Sequence, residues 1–325
     1  MGPLSSALLV PFFSGLLLVE WVVAKKKGIR VYSWADTSTN IACALGQFTL
    51  DIPILFMIGA AYTALSGLAP LKWDFTLGTS LGLFVLTDFL SYWFHRASHK
   101  WTFLWRVHAV HHQSQEFNFS VGIRIPWFHK LVAFPIYLPP ALLGFDFKQY
   151  LAVAVVHATL QTFSHTRIYD ADWPIFRDVF VTPVHHRVHH SRLAIHHNRN
   201  FSNVLSIWDR LFGTGLRDLT EPVYGLGDGP ASFNPLVIQI DPFATSADRE
   251  RSTSWPSRRT KISSAVLLLT AVAVYAAANT HKSDLGTIWI GLGVLLSLGL
   301  AIVSGALLEP SRVSQRSVEN HSLHQ

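Results

Sequence analysis

Histidine offers the plainest chemistry in this sequence: of 17 histidines, 14 fall between His95 and His197, and most of them are grouped. His95 and His99 are four residues apart, His108, His111 and His112 stand at i, i+3 and i+4, and His186, His189 and His190 repeat that spacing. On an α-helix of about 3.6 residues per turn each group lies on one face, so each can aim two or three imidazoles at a common point. Imidazole suits iron, zinc, copper or nickel, whereas calcium and magnesium call for oxygen ligands. Eight such nitrogens are too many for one ion, and two ions with about four each is the economical arrangement. His157, Gln161 and His165 run i, i+4, i+8 along a further stripe, and His196 and His197 follow the last group, so these are additional candidates.

Asp88 stands inside an apolar segment, where a carboxylate is costly and tends to be functional. With Tyr92, His95 and His99 it falls on one narrow stripe of the same predicted helix. That is where a carboxylate must stand to hold the non-ligating N–H of a metal-bound histidine, and Asp88 and Tyr92 are therefore candidate residues of the reaction site. Arg96, Arg106 and Arg187 interleave with the histidines and are expected to pair with acids, lipid phosphate or carbonyls. His129, His281, His321 and His324 stand alone and are expected at interfaces or in solvent, while His185, one turn before His189, is ambiguous.

The elements that must position these groups belong to a membrane protein. Half of the chain is hydrophobic, 14% is charged and the mean hydropathy is +0.29, which excludes an ordinary soluble domain. A bilayer core about 30 Å thick needs about 20 apolar residues in a helix. Stretches of that kind are Leu4 to Ala24, Ile41 to Leu65, Leu77 to Phe94, Ile262 to Ala278 and Ile288 to Leu308. The shorter pair Leu131 to Phe145 and Tyr150 to Phe163, broken by Pro135, Pro139 and Pro140, predicts a tilted or re-entrant hairpin. Lys25 to Lys27 follow the first stretch instead of preceding it, so it is expected to be a retained anchor rather than a cleaved signal. The formal charge of +6 is dispersed beside apolar segments, which points to membrane-surface contacts and against nucleic acid. The single cysteine, Cys43, excludes an internal disulfide and a thiolate cluster.

The expectation is an all-α integral membrane protein: a transmembrane helix bundle under a cytosolic, His-rich helical cap. The positive-inside rule places Lys25 to Arg30 in the cytosol and brings the end of the third apolar segment, where the histidines start, back to that side. The chain divides into an anchor and basic loop (1–34), a catalytic domain (35–245), a basic linker (246–261), a C-terminal transmembrane hairpin (262–308) and a flexible tail (309–325).

HRASH (95–99), HAVHH (108–112) and TPVHHRVHH (182–190) resemble the HxxxH, HxxHH, HxxHH signature of the fatty acid hydroxylase and sterol desaturase superfamily. DFLSYWFHRASH, HHQSQEFNFS, QTFSH, VLSIWDRLFGT and PVYGL are similar to segments of its alkylglycerol monooxygenase branch. HHNRNFSNVL (196–205) departs from the pattern, with Phe201-Ser202 where Tyr-Gly is expected, which bears on the floor of the pocket. The resemblance implies His95, His99, His108, His111, His112, His186, His189 and His190 as ligands, and His165 of the QTFSH segment with them. It implies two non-haem iron ions, dioxygen, and hydroxylation or desaturation of a lipid C–H bond. The electrons would come from an external donor, a protein or a small reductant such as a reduced pterin. Nothing in the sequence fixes an oligomeric state. The residues leave two other classes open. A His-rich metal transporter should carry ligands near the bilayer midplane, and a membrane zinc hydrolase would need three protein ligands and an open position, with a base such as Glu116.

Overall fold

The computed structural model describes residues 3–170, 173–227, 232–240, 242, 257–280 and 287–309. Every regular element among its described residues is a helix, with one isolated bridge between Phe180 and Leu205 in place of any sheet. The first helix, α1 (Pro3–Lys26), leads into α2 (Trp34–Leu68) and α3 (Leu77–Ser98). Four described helical segments are long and apolar enough to cross a membrane: Trp34–Leu68, Leu77–Ser98, Arg258–Ala278 and Trp289–Leu307.

The helix α2 starts seven residues before the apolar stretch that announced it, because Ser33 caps it by accepting from the Asp36 N–H at 3.3 Å. Its 35 residues extend about 52 Å, well beyond a bilayer core of about 30 Å. The surplus first turns carry Asp36, Ser38, Thr39 and Asn40, all buried against protein. The helix α3 is started by Thr76, whose hydroxyl and that of Thr79 satisfy each other's backbone N–H, and it ends at the first histidine pair.

Then α4 (Thr102–His112) carries the second group. The expected proline-broken hairpin is α5 (His129–Ala133), a 3-10 turn (Phe134–Tyr137), α6 (Pro139–Leu142) and α7 (Phe147–Thr162). Leu83 of α3, Phe145 and Val153 of α7 form a buried apolar contact that fixes α7 beside α3. The polar segment folds as α8 (Pro174–Val179), α9 (Pro183–His189) with the third group, α10 (Ile207–Leu211) and α11 (Pro235–Ile240).

The C-terminal hairpin is α12 (Arg258–Thr280) and α13 (Thr287–Leu307). It packs on α2 through Ala42, Leu45, Leu268, Ala271 and Ala301, where the three alanines let the helices approach closely and the two leucines fill the contact. Its apolar sequence hides polar ties: Ser264 and Ser304 share a hydrogen bond of 2.9 Å and the Ser297 hydroxyl donates to the Ala271 carbonyl at 2.8 Å. Arg258 to Lys261, expected in a linker, form the first turn of α12; residues 246–256 of that linker and 310–325 of the expected tail lie outside the described residues.

Tight contact at one glycine ties α2 to the segment just before α5. A Cβ on Gly46 would stand 2.3 Å from the Trp127 ring, whose Nε1–H donates to the Cys43 carbonyl at 3.1 Å. Gly46→Ala must displace that indole and is expected to destabilise the protein by about 1–3 kcal/mol, read as a lowered unfolding temperature in detergent.

Candidate metal centre

Nine histidines meet where the C-terminus of α3, α4, the end of α7 and α9 converge. Their ring nitrogens form two sets: His95, His99, His108, His112 and His189 in one, and His111, His165, His186 and His190 in the other, with the atoms of each set within 4.8 Å of one another. The i, i+3, i+4 spacing explains the division. In α4 His108 and His112 face the first set while His111 turns to the second; in α9 His186 and His190 face the second while His189 turns to the first. The two sets share a wall in which the His112 and His190 rings stack with centres 4.3 Å apart. His165 comes from the turn that follows α7, its ring centre 4.2 Å from that of His186.

Backbone carbonyls fix the tautomers. His95 Nδ1–H donates to the Phe201 carbonyl at 2.8 Å, His111 to Arg124 at 3.1 Å, His165 to Gln161 at 3.2 Å and His189 to Arg199 at 3.0 Å. A neutral imidazole that donates through Nδ1 has only a lone pair at Nε2. Yet His111 Nε2 and His165 Nε2 lie 3.2 Å apart. No proton is left to bridge them, so the pair is suited to a cation. The Nε2 atoms of His99 and His189 are buried without any hydrogen-bond partner, which points the same way.

Burial is also the main reason that these groups stay neutral. It holds His99, His108, His111, His112, His186, His189 and His190 well below the usual histidine range, and lowers His165 to about 3. Repulsion among the imidazoles acts in the same direction. Such a set of deprotonated nitrogens binds transition metals in preference to hard cations.

Other candidates are placed elsewhere. Asp88 does not reach the N–H of a clustered histidine, because its carboxylate is filled by His157 Nε2 at 2.7 Å, Trp208 Nε1 at 2.8 Å and the N–H groups of Val204 and Leu205. It ties α3 to α7 and to the loop before α10, so His157 is the partner of an acid and stands outside both sets. Tyr92 shares a hydrogen bond with Thr214 at 3.0 Å and accepts from Arg96, while Gln161 donates to Asn203 at 2.9 Å. His197 bonds the Arg192 carbonyl, His196 pairs with Asp218, and His129, expected at an interface or in solvent, sets its ring edge-on to Phe94.

Sequence reasoning missed the groups that hold those carbonyls in place. Asp209 accepts from the N–H of Phe201 at 2.8 Å and of Ser202 at 2.9 Å, and so presents the Phe201 carbonyl to His95. Arg124 is held through Asn40 and Gln113, near Asp36, and presents its carbonyl to His111. Glu20 of α1, fully buried, accepts from the hydroxyls of Thr166 and Tyr32 and from the Phe119 N–H. An acid within an apolar run was the signal for Glu20, as it was for Asp88; nothing in the sequence marked Arg124.

Residues 80–214, which hold all nine histidines, match the fatty acid hydroxylase family. The chain is thus similar to that family over residues 80–214. It is similar to the alkylglycerol monooxygenases of Homo sapiens, at 31% identity over 71% of this chain and 52% of that one, and of Xenopus tropicalis, at 33% over 70% and 51%. It is also similar to ornithine lipid hydroxylase OlsE of Rhizobium tropici, at 31% over 65% of each chain. The chain thus spans about half the length of the alkylglycerol monooxygenases it matches. No solved structure matches it significantly. Within this matched region the Phe201-Ser202 departure is a packing feature: the Phe201 ring lies 5.4 Å from that of His99 and 6.0 Å from that of His95.

The lowered histidines set a pH dependence for metal-stripped protein. Above about 6.5, the ordinary histidine value, neither the folded nor the unfolded chain binds protons at these rings. Below it the unfolded chain does and the folded chain does not, down to about 3 for His165. Stability is therefore expected to fall steadily as pH drops from 6.5, read as the unfolding temperature in detergent at pH 7.5, 6 and 5, with metal-loaded protein more resistant at each pH.

Proposed function

We propose that this chain is a membrane-bound non-haem di-iron oxygenase acting on a lipid C–H bond. The observation that carries this reading is the pair of adjoining all-nitrogen sets, five and four histidines, with lone pairs facing inward. Two iron ions bound there would supply dioxygen activation and lipid oxidation, R–H + O2 + 2 e⁻ + 2 H⁺ giving R–OH + H2O, or, where a second hydrogen is lost, –CH2–CH2– + O2 + 2 e⁻ + 2 H⁺ giving –CH=CH– + 2 H2O.

The protein's own part is to hold, orient and shield. The nine histidines supply the ligands. The carbonyls of Phe201, Arg124, Gln161 and Arg199 set the Nδ1–H tautomer that turns each Nε2 inward. Aromatic rings wall the centre from water: Phe201 on one side, Phe117 at 5.1 Å from the His190 ring on another, and Trp105 at 5.1 Å from that of His99. The basic run Lys25–Lys27 at the end of α1 supports a cytosolic centre, reached by the lipid from the bilayer and by electrons from a donor protein or a small reductant such as a reduced pterin. The names of the similar proteins support ether lipids and ornithine lipids as first substrates to screen, beside sterols and fatty acyl lipids.

The test is metal content and iron valence of detergent-purified protein by elemental analysis and Mössbauer spectroscopy. Wild type is expected to carry about two irons per chain, one for each nitrogen set, oxidised by dioxygen. His111→Ala should lose most of that iron, whereas His157→Ala, which removes only the partner of Asp88, should keep it while lowering thermal stability. A single zinc, or iron indifferent to His111→Ala, would overturn the reading.

A further inference from the structure

Two peptide groups in the loop after α9 are held at both edges. The peptide joining Arg199 to Asn200 offers its carbonyl to His189 Nδ1–H at 3.0 Å and its N–H to the Thr214 carbonyl at 3.0 Å. The peptide joining Phe201 to Ser202 offers its carbonyl to His95 Nδ1–H at 2.8 Å and its N–H to Asp209 at 2.9 Å. Between them stands Asn200, 2% exposed and in the left-handed region with φ +56°. Asparagine tolerates that conformation better than most residues other than glycine.

The Asn200 side chain joins this loop to two other segments. Its Nδ2 donates to the Leu216 carbonyl at 2.7 Å and to the His185 carbonyl of α9 at 2.9 Å, and its Oδ1 accepts from the Leu216 N–H at 2.7 Å. Both amide protons and the oxygen are used, and the opposite amide orientation would set the oxygen against two carbonyls. His185 lies in the helix that carries His189, so Asn200 fixes the Arg199 carbonyl and the helix of its histidine in one frame. The rings so held, His95 and His189, belong to the same five-histidine set. That set also contains the two rings, His99 and His189, whose Nε2 atoms are buried without a hydrogen-bond partner. In the four-histidine set the outward carbonyls come from Arg124 and Gln161, which lie in other segments of the chain.

We propose that Asn200 is a positioning residue for the five-histidine set alone, aligning His95 and His189 for a transition-metal ion through the two carbonyls that flank it. An outer hydrogen-bond partner of a ligating imidazole sets its tautomer and aim, and losing one weakens metal binding by about 10–100-fold. Asn200 acts one step further out, on the backbone that supplies two such partners at once. The two metal sites thus have separate supports: one buried amide serves a ring from α3 and a ring from α9, while His111 and His165 are steadied elsewhere. The inference rests on the reading of two metal sites and adds that one can be loosened without the other.

The experiment titrates the metal-free, detergent-purified full chain with cobalt(II) in the absence of dioxygen and reads each bound ion by its visible absorption. Wild type is expected to bind two ions, one for each nitrogen set. Asn200→Gly keeps the left-handed backbone accessible and removes the side-chain ties; it should weaken one of the two ions by about tenfold or more and alter its absorption, leaving the other as it was. Asn200→Asp keeps the acceptor for the Leu216 N–H but loses both donors, and should give the same selective loss. In a His165→Ala background, which spoils the four-histidine set, Asn200→Gly should weaken the remaining site; in a His99→Ala background it should not. Asn198→Gly, at a position of similar backbone (φ +59°) but exposed, should leave both sites unchanged. Equal weakening of both sites, no weakening, or the same loss from Asn198→Gly would overturn the proposal while two ions in wild type kept the two-site reading. Fewer than two ions in wild type would overturn both. Selective loss of cobalt in a protein that takes up no iron would support this proposal and overturn the oxygenase reading.

Discussion

The structure depends on keeping nine neutral imidazoles crowded together with their lone pairs turned inward. Protons cannot satisfy the whole of such a cluster, because at His95, His111, His165 and His189 the Nδ1–H groups are aimed outward at carbonyls, and the Nε2 atoms of His111 and His165 face each other with no hydrogen between them. A buried acceptor without a donor costs about 1–3 kcal/mol, and His99 and His189 each bury one. Left to itself the cluster would relax by rotating rings. Carbonyl bonds at His95, His111, His165 and His189 restrain the rings that would otherwise turn, so the cost is stored in the fold and returned when a cation enters.

Those carbonyls are themselves held by charges one peptide removed. Asp209 grips the backbone around Phe201, Asp36 lies near the guanidinium of Arg124, and Glu20 ties α1 to Thr166, next in chain to His165. Asp88 does the same for the loop at Val204 and Leu205. Soluble di-iron bundles place carboxylates directly on the metals; here the acids near the site are spent on backbone, and the ligand atoms are nitrogens. An acid touching a metal would cancel part of its charge, whereas an acid that steadies a carbonyl leaves the donor set neutral.

The ligand groups were legible because spacing on a helix determines direction: the two HxxHH motifs predicted convergent rings, and the structure adds that each motif feeds both sets. Apolar length announced the four described helices that are long and apolar enough to span, with errors at their ends, as at α2, where a serine cap and partners for Asp36 and Asn40 extend the helix into polar sequence. What pattern could not show was pairing across the chain. His157 shared a helical stripe with His165, yet an acid 69 positions earlier takes its ring. Asp88 shared a face with His95, but the carbonyl of a residue 106 positions later holds that imidazole. A carbonyl belongs to every residue alike, so no composition or periodicity marks the ones that matter.

The dependence of His95 on Phe201 has a temporal side. During synthesis the first histidine pair leaves the ribosome more than a hundred residues before the backbone that will steady it, and Asp209 emerges later still. The helix α3 can therefore enter the bilayer with its histidines unrestrained, while the completed centre waits for the last of its supports. A cation can therefore meet the full set of nine nitrogens only in the finished chain.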